Sequence, residues 1–92
     1  MKWPTEVPVL TARDICRGKF ANTKGRRCLS GWCREVFSGS TLYHAAETSL
    51  RAETNKPITW YNDDARNSKA AIARAWNRAM ARLGYVIDNP EA

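Results

Sequence analysis

The chain has 92 residues, of which 43% are hydrophobic and 26% charged. That is enough for one domain with one modest core, and it is not the composition of a disordered tail. Fifteen Lys and Arg against nine Asp and Glu give a net charge of +6, which points to a polyanionic partner, nucleic acid or a nucleoprotein before an anionic membrane; plain solubility is the simpler explanation.

The first ten residues, M-K-W-P-T-E-V-P-V-L, hold Pro4 and Pro8 and are expected to form an extended arm, packed onto the domain through Trp3, Val7, Val9 and Leu10. Their prolines and acid interrupt the apolar core that a signal peptide needs. No run in the chain approaches the roughly 20 apolar residues that span a bilayer. Thr11 followed by Asp14 resembles a capping box and predicts a short helix that Gly18 ends, with Ile15 and Cys16 buried. Residues 21–27, A-N-T-K-G-R-R, read as a basic turn.

Residues 28–37 follow the spacing of a buried helical face, with Leu29, Trp32, Cys33, Val36 and Phe37 inward. After Ser38-Gly39-Ser40, either Ser40 or Thr41 is expected to cap a second helix. Its inward residues are Leu42, Tyr43, Ala46, Leu50 and, at the edge of the pattern, Glu53. Asn55-Lys56-Pro57 stops it. Ile58 to Tyr61 is β-branched and aromatic, so a short strand and a buried turn both fit. Asn62-Asp63-Asp64 marks a turn.

Residues 68–84, S-K-A-A-I-A-R-A-W-N-R-A-M-A-R-L-G, are the clearest helix. Ser68 caps the start and Gly84 supplies the stop. Ile72, Trp76, Ala79 and Leu83 form one apolar face with Met80 at its edge, while Arg74, Arg78 and Arg82 recur every four residues on another. The last residues give a strand-like or extended 85–88 and a tail. The fold class expected is mainly α: a compact single domain of three or four helices with at most a minor β element. Its limits are an arm at 1–10, a globular domain at 11–88 and a tail at 89–92.

Charge is uneven along the chain. Residues 13–34 carry seven bases and one acid, and residues 65–84 carry five bases and no acid, with an acidic stretch between them. Arginine grips phosphate in two places at once, so the candidate nucleic-acid or partner contacts are Lys24, Arg26, Arg27, Arg74, Arg78 and Arg82. The plainer reading of the same residues is a solvated face whose stems cover the core edge. If the two basic blocks fold side by side, they make one cationic surface.

Other chemistry is less favoured. Cys16, Cys28, Cys33 and His44 lack the close Cys-x2-Cys pair of structural zinc sites. Small buried hydrophobes are the simpler reading of these cysteines. Their odd count also disfavours a disulfide framework and suits a reduced, cytoplasmic protein. Glu47, Glu53, Asp63 and Asp64 form no recognisable acid pair, and no phosphate loop or dinucleotide fingerprint is present. No enzyme activity, metal or cofactor is expected. A helix-turn-helix is disfavoured because residues 55–67 make too long a connection.

The segments Cys28-Leu29-Ser30-Gly31 and Trp60-Tyr61-Asn62-Asp63, followed by the Ala-rich helix, resemble a family of small uncharacterised bacterial and phage proteins. Tyr61 interrupts that family's Trp-Asn-Asp order. The resemblance covers about two thirds of the chain and implies that Cys28, Leu29 and Trp60 fill the core, while Asn62 or Asp63 ties down a turn. It implies no activity. By class, size and charge the chain looks like a mobile-element accessory protein. The expected function is stoichiometric occlusion of a host nucleic-acid-containing complex, for example a CRISPR surveillance complex as anti-CRISPR proteins do, in the host cytoplasm. The alternatives are a protein–protein inhibitor or adaptor anchored by Trp3 or Trp32, and a zinc- or Cys-dependent enzyme.

Overall fold

The computed structural model describes residues 2–18 and 24–87. The expected tail at 89–92, Asp88 and the first part of the 21–27 turn lie outside the described residues, as does Lys19. The architecture is mainly α. A 3-10 turn (Ala12–Asp14) precedes α1 (Leu29–Val36), α2 (Ser40–Thr54), α3 (Ile58–Asp63) and α4 (Lys69–Arg82). Among the described residues there is no strand, only an isolated parallel bridge between Ile15 and Arg27. The fold class allowed at most a minor β element, and among the described residues 58–61 open a helix and 85–87 form no strand.

α4 is the central element. Ser68 accepts the Ala71 N–H at 3.0 Å, satisfying one of the orphan donors of a helix start. Gly84 follows at φ +103 and lets the chain turn away. Ile72, Ala73, Ala75, Trp76, Asn77, Ala79 and Met80 are all buried. Burial thus extends round most of the helix, further than the expected stripe. Met80 lies in the core, whereas Leu83, expected on the inner face, caps the helix and is half-buried. α2 packs on one side, where the Ser49 hydroxyl donates to the Ala79 carbonyl at 2.8 Å. α1 packs on another, where Trp32 and Phe37 meet the Trp76 ring at 6.5 and 6.4 Å.

The N-terminal arm is extended and strapped to α4. Asn77 accepts from Leu10 N–H and donates to Leu10 C=O, each at 2.9 Å. Trp76 Nε1 donates to the Pro8 carbonyl, and the Tyr85 hydroxyl donates to that of Pro4. Leu10 is buried in the core.

Several local expectations need amending. The first helix is only a 3-10 turn, although Asp14 does accept from the Thr11 N–H at 2.8 Å. Gly39 at φ +93, not Ser40 or Thr41, is the N-cap of α2. Residues 58–61 open a helix. Within it Ile58 and Asn62, four apart, face the core and are buried, so Trp60 between them points outward and is 72% exposed. Trp60 therefore does not fill the core, as the family resemblance implied. Cys28 and Leu29 are buried as expected. Residues 55–67 are not one long connection, since they contain α3. The connection length therefore no longer argues against a helix-turn-helix.

Asn62 is the hub of the lower half. Its Oδ1 accepts from Leu29 N–H and its Nδ2 donates to the Cys16 carbonyl, both at 2.9 Å. Gly18, at φ +70, brings its N–H to Asp63 at 2.9 Å. The Arg17 guanidinium donates to the carbonyls of Asn62, Asp64 and Asn67, so it ties the end of α3 to the start of α4. Among the described residues no buried side-chain nitrogen or oxygen lacks a partner.

Candidate functional site

The solvent-facing sector of α4 follows from what is buried around it. Ala70 and Arg74 are half-buried, and Arg78, Ala81 and Arg82 are exposed. At 3.6 residues per turn these positions share one sector of roughly 120°. α2 borders it on the Ala79 side and the N-terminal strap on the Asn77 side. The repeat of arginine every four residues is thus expressed as a ridge, with small alanines leaving the guanidinium stems uncovered.

Two of the ridge arginines are already partnered. Arg78 Nε donates to Glu53 Oε1 at 2.6 Å, and Arg82 Nη2 donates to Oε2 at 3.0 Å. Burial alone would raise the Glu53 pKa. The hydrogen bonds and charges of Arg78 and Arg82 outweigh it and hold the carboxyl below its ordinary value. The sequence placed Glu53 at the edge of the apolar stripe of α2. An acid in that position was the available signal for a cross-helix partner, but the partner's identity required the fold.

The other candidate block behaves differently. Arg27 lies over the Trp32 ring at 5.0 Å, 3.6 Å from Glu35, and its backbone forms the bridge to Ile15. Arg27 is therefore half structural. Trp32 in turn rests on Trp76, which leaves α4 roughly 120–160° round from the three ridge arginines. The 24–27 turn and the ridge consequently occupy different sides of α4 and do not merge into one patch. Lys24 is exposed, and Arg26 is half-buried with its carbonyl accepting from the Cys16 thiol at 3.6 Å.

All three cysteines are buried. Cys28 caps α1, its sulfur accepting from Gly31 N–H at 3.4 Å. Burial, with smaller contributions from the charges of Glu47 and Cys28, pushes the Cys33 thiol up to about 12. Cys33 is then protonated at neutral pH and is neither a nucleophile nor a thiolate ligand in this state. His44 is exposed, 3.6 Å from Glu47. Among the described residues no three His, Cys, Asp or Glu side chains are grouped so as to hold a metal ion, and no helix is long and apolar enough to cross a membrane. Asp64 is paired locally. Arg66 grips it from two nitrogens and holds its carboxyl well below the usual carboxylate range.

Of the aromatic anchors expected for a protein partner, Trp32 is committed inward, donating to the Asp14 carbonyl at 2.8 Å. Trp3 is 44% exposed and packs edge-on against Phe37. The more exposed tryptophan is Trp60, beside a shallow hollow lined by Thr59, Asp63 and Asp64. Comparison with known proteins finds no matching family model, no matching curated protein and no matching solved structure.

Proposed function

We propose that the protein is a small basic binding module that acts by occupancy rather than catalysis, with a nucleic acid or nucleoprotein as its partner. The reading rests on one observation: a chain of net charge +6 carries Arg74, Arg78 and Arg82 along the solvent-facing sector of its central helix. Arginines one turn apart suit a phosphate backbone, and neutralising phosphates releases condensed counterions. Arginine forks spaced along one face suit phosphate oxygens, so contact is expected on the backbone and to be indifferent to base sequence. Lys24, Arg26 and Arg27 supply a second contact for a ligand long enough to pass round a body of 34 × 26 × 26 Å. In its biological setting we assign it as a phage or mobile-element accessory factor that blocks a host nucleic-acid-containing complex, a CRISPR surveillance complex being one such target.

The test is a titration of fluorescent 20-nucleotide single strands and duplexes of two unrelated sequences at several salt concentrations. The reading expects binding that weakens steeply with salt and differs little between sequences. Absence of binding at low salt, or a clear preference for one sequence, contradicts it.

The 72% exposure of Trp60 favours a second reading, a protein partner anchored by that side chain. Its mark is a salt-insensitive complex lost on Trp60→Ala.

A further inference from the structure

Glu53 occupies the arginine pair at the C-terminal half of the α4 ridge. Both of its oxygens are engaged, one by Arg78 and one by Arg82, at 2.6 and 3.0 Å. Its side chain is only 15% exposed, while those of the two arginines are 50% and 53% exposed. The carboxylate therefore fills the inner side of the arginine pair and leaves the outer edges open to solvent. A carboxylate and a phosphate make the same paired, charge-assisted hydrogen bonds to guanidinium.

From this arrangement we infer that Glu53 is a built-in competitor for phosphate at the α4 surface, and that it sets the affinity of that surface for nucleic acid. The inference rests on the proposed polyanion-binding reading. Two arginines and one glutamate present a net charge of +1 in place of +2. A phosphodiester gains the full strength of the pair only by displacing the carboxylate or by sharing its donors. Glu53 is held on its own helix against α4, so it competes as an intramolecular ligand at high effective concentration. A single phosphate group competes poorly with it. A long nucleic acid prevails because contacts to Arg74 and other cations add to the same binding event.

The experiment compares wild-type protein with Glu53→Gln for binding of a fluorescent (dT)20 strand between 50 and 300 mM salt. Glutamine keeps the length and an acceptor oxygen while removing the charge. The expected result is affinity on the order of tenfold tighter at low salt, with a log–log salt slope steeper by about 0.7, the value for one further phosphate neutralised on a single strand. Unchanged affinity and slope overturn the role of Glu53. So does weaker binding, which means that Glu53 organises the arginines rather than competing for them. Failure of both proteins to bind overturns the polyanion reading itself, and the role of Glu53 with it. A second readout uses the wild-type protein and does not depend on the variant folding. On addition of (dT)20, the Arg78 Nε–H and Glu53 carboxyl-carbon resonances are expected to shift together. Binding that leaves both in place overturns the inference.

Discussion

Asn62 shows how much a single side chain carries in this fold. Its amide joins α3 to the start of α1 and to the segment after the 3-10 turn, and it is buried. Asn62→Ala strands the Leu29 N–H and the Cys16 carbonyl, each costing about 1–3 kcal/mol. Urea unfolding is expected to register a loss of about 2–4 kcal/mol, and a loss under about 0.5 kcal/mol contradicts the hub assignment. Glu53 gives a pH dependence of known sign. Its folded pKa is lowered, so the stability it contributes is fully present above the unfolded value of about 4.3 and is lost as pH falls through the lower folded value. The stability difference between wild type and Glu53→Gln is therefore expected to stay flat from pH 8 to about 5.5 and to shrink toward pH 3, as read by urea unfolding at each pH. These residues were only partly legible beforehand. Asn62 or Asp63 was expected to tie down a turn, whereas Asn62 lies within α3 and joins that helix to Leu29 and Cys16. Nothing in the sequence paired Glu53 with Arg78 and Arg82, because partners on different helices have no fixed sequence spacing.

At the scale of elements, α4 and α1 were legible because their apolar residues recur at 3.6, with Leu29, Cys33 and Phe37 buried in or just after α1, and because Ser68 and Gly84 mark the ends of α4. α3 was not legible. Six residues rich in β-branched and aromatic side chains have weak helical preference, and tertiary contacts decide the outcome. Arg17 is one of them: it reads as a member of a basic block, yet its guanidinium is spent on backbone carbonyls around the end of α3. Arg17→Ala is expected to cost about 1.5–3 kcal/mol, the value of hydrogen bonds to a charged donor, and Arg17→Lys to recover less than half, since an ammonium lacks the planar fork. Thermal unfolding of both variants checks this. Ser68→Ala is expected to cost about 1 kcal/mol through the lost cap, and full retention of stability contradicts a capping role for its hydroxyl.

For the whole molecule, the arrangement of the two basic blocks in space could not be read from residue order. Aromatic packing settles that geometry. Arg27 lies on Trp32, Trp32 on Trp76, and Trp76 leaves α4 away from Arg74, Arg78 and Arg82. The strap closes the core around that packing, with Pro8 and Leu10 bound to adjacent residues of α4. A cationic surface then remains where α4 meets solvent, and it is the surface on which the proposed polyanion contact depends. The most direct measurement of this account is oligonucleotide binding by two triple variants at low salt, each verified as folded: Arg74→Ala/Arg78→Ala/Arg82→Ala and Lys24→Ala/Arg26→Ala/Arg27→Ala. The account predicts that the first loses most of the affinity and reduces the salt slope, while the second loses less. Wild-type affinity in the α4 variant contradicts it.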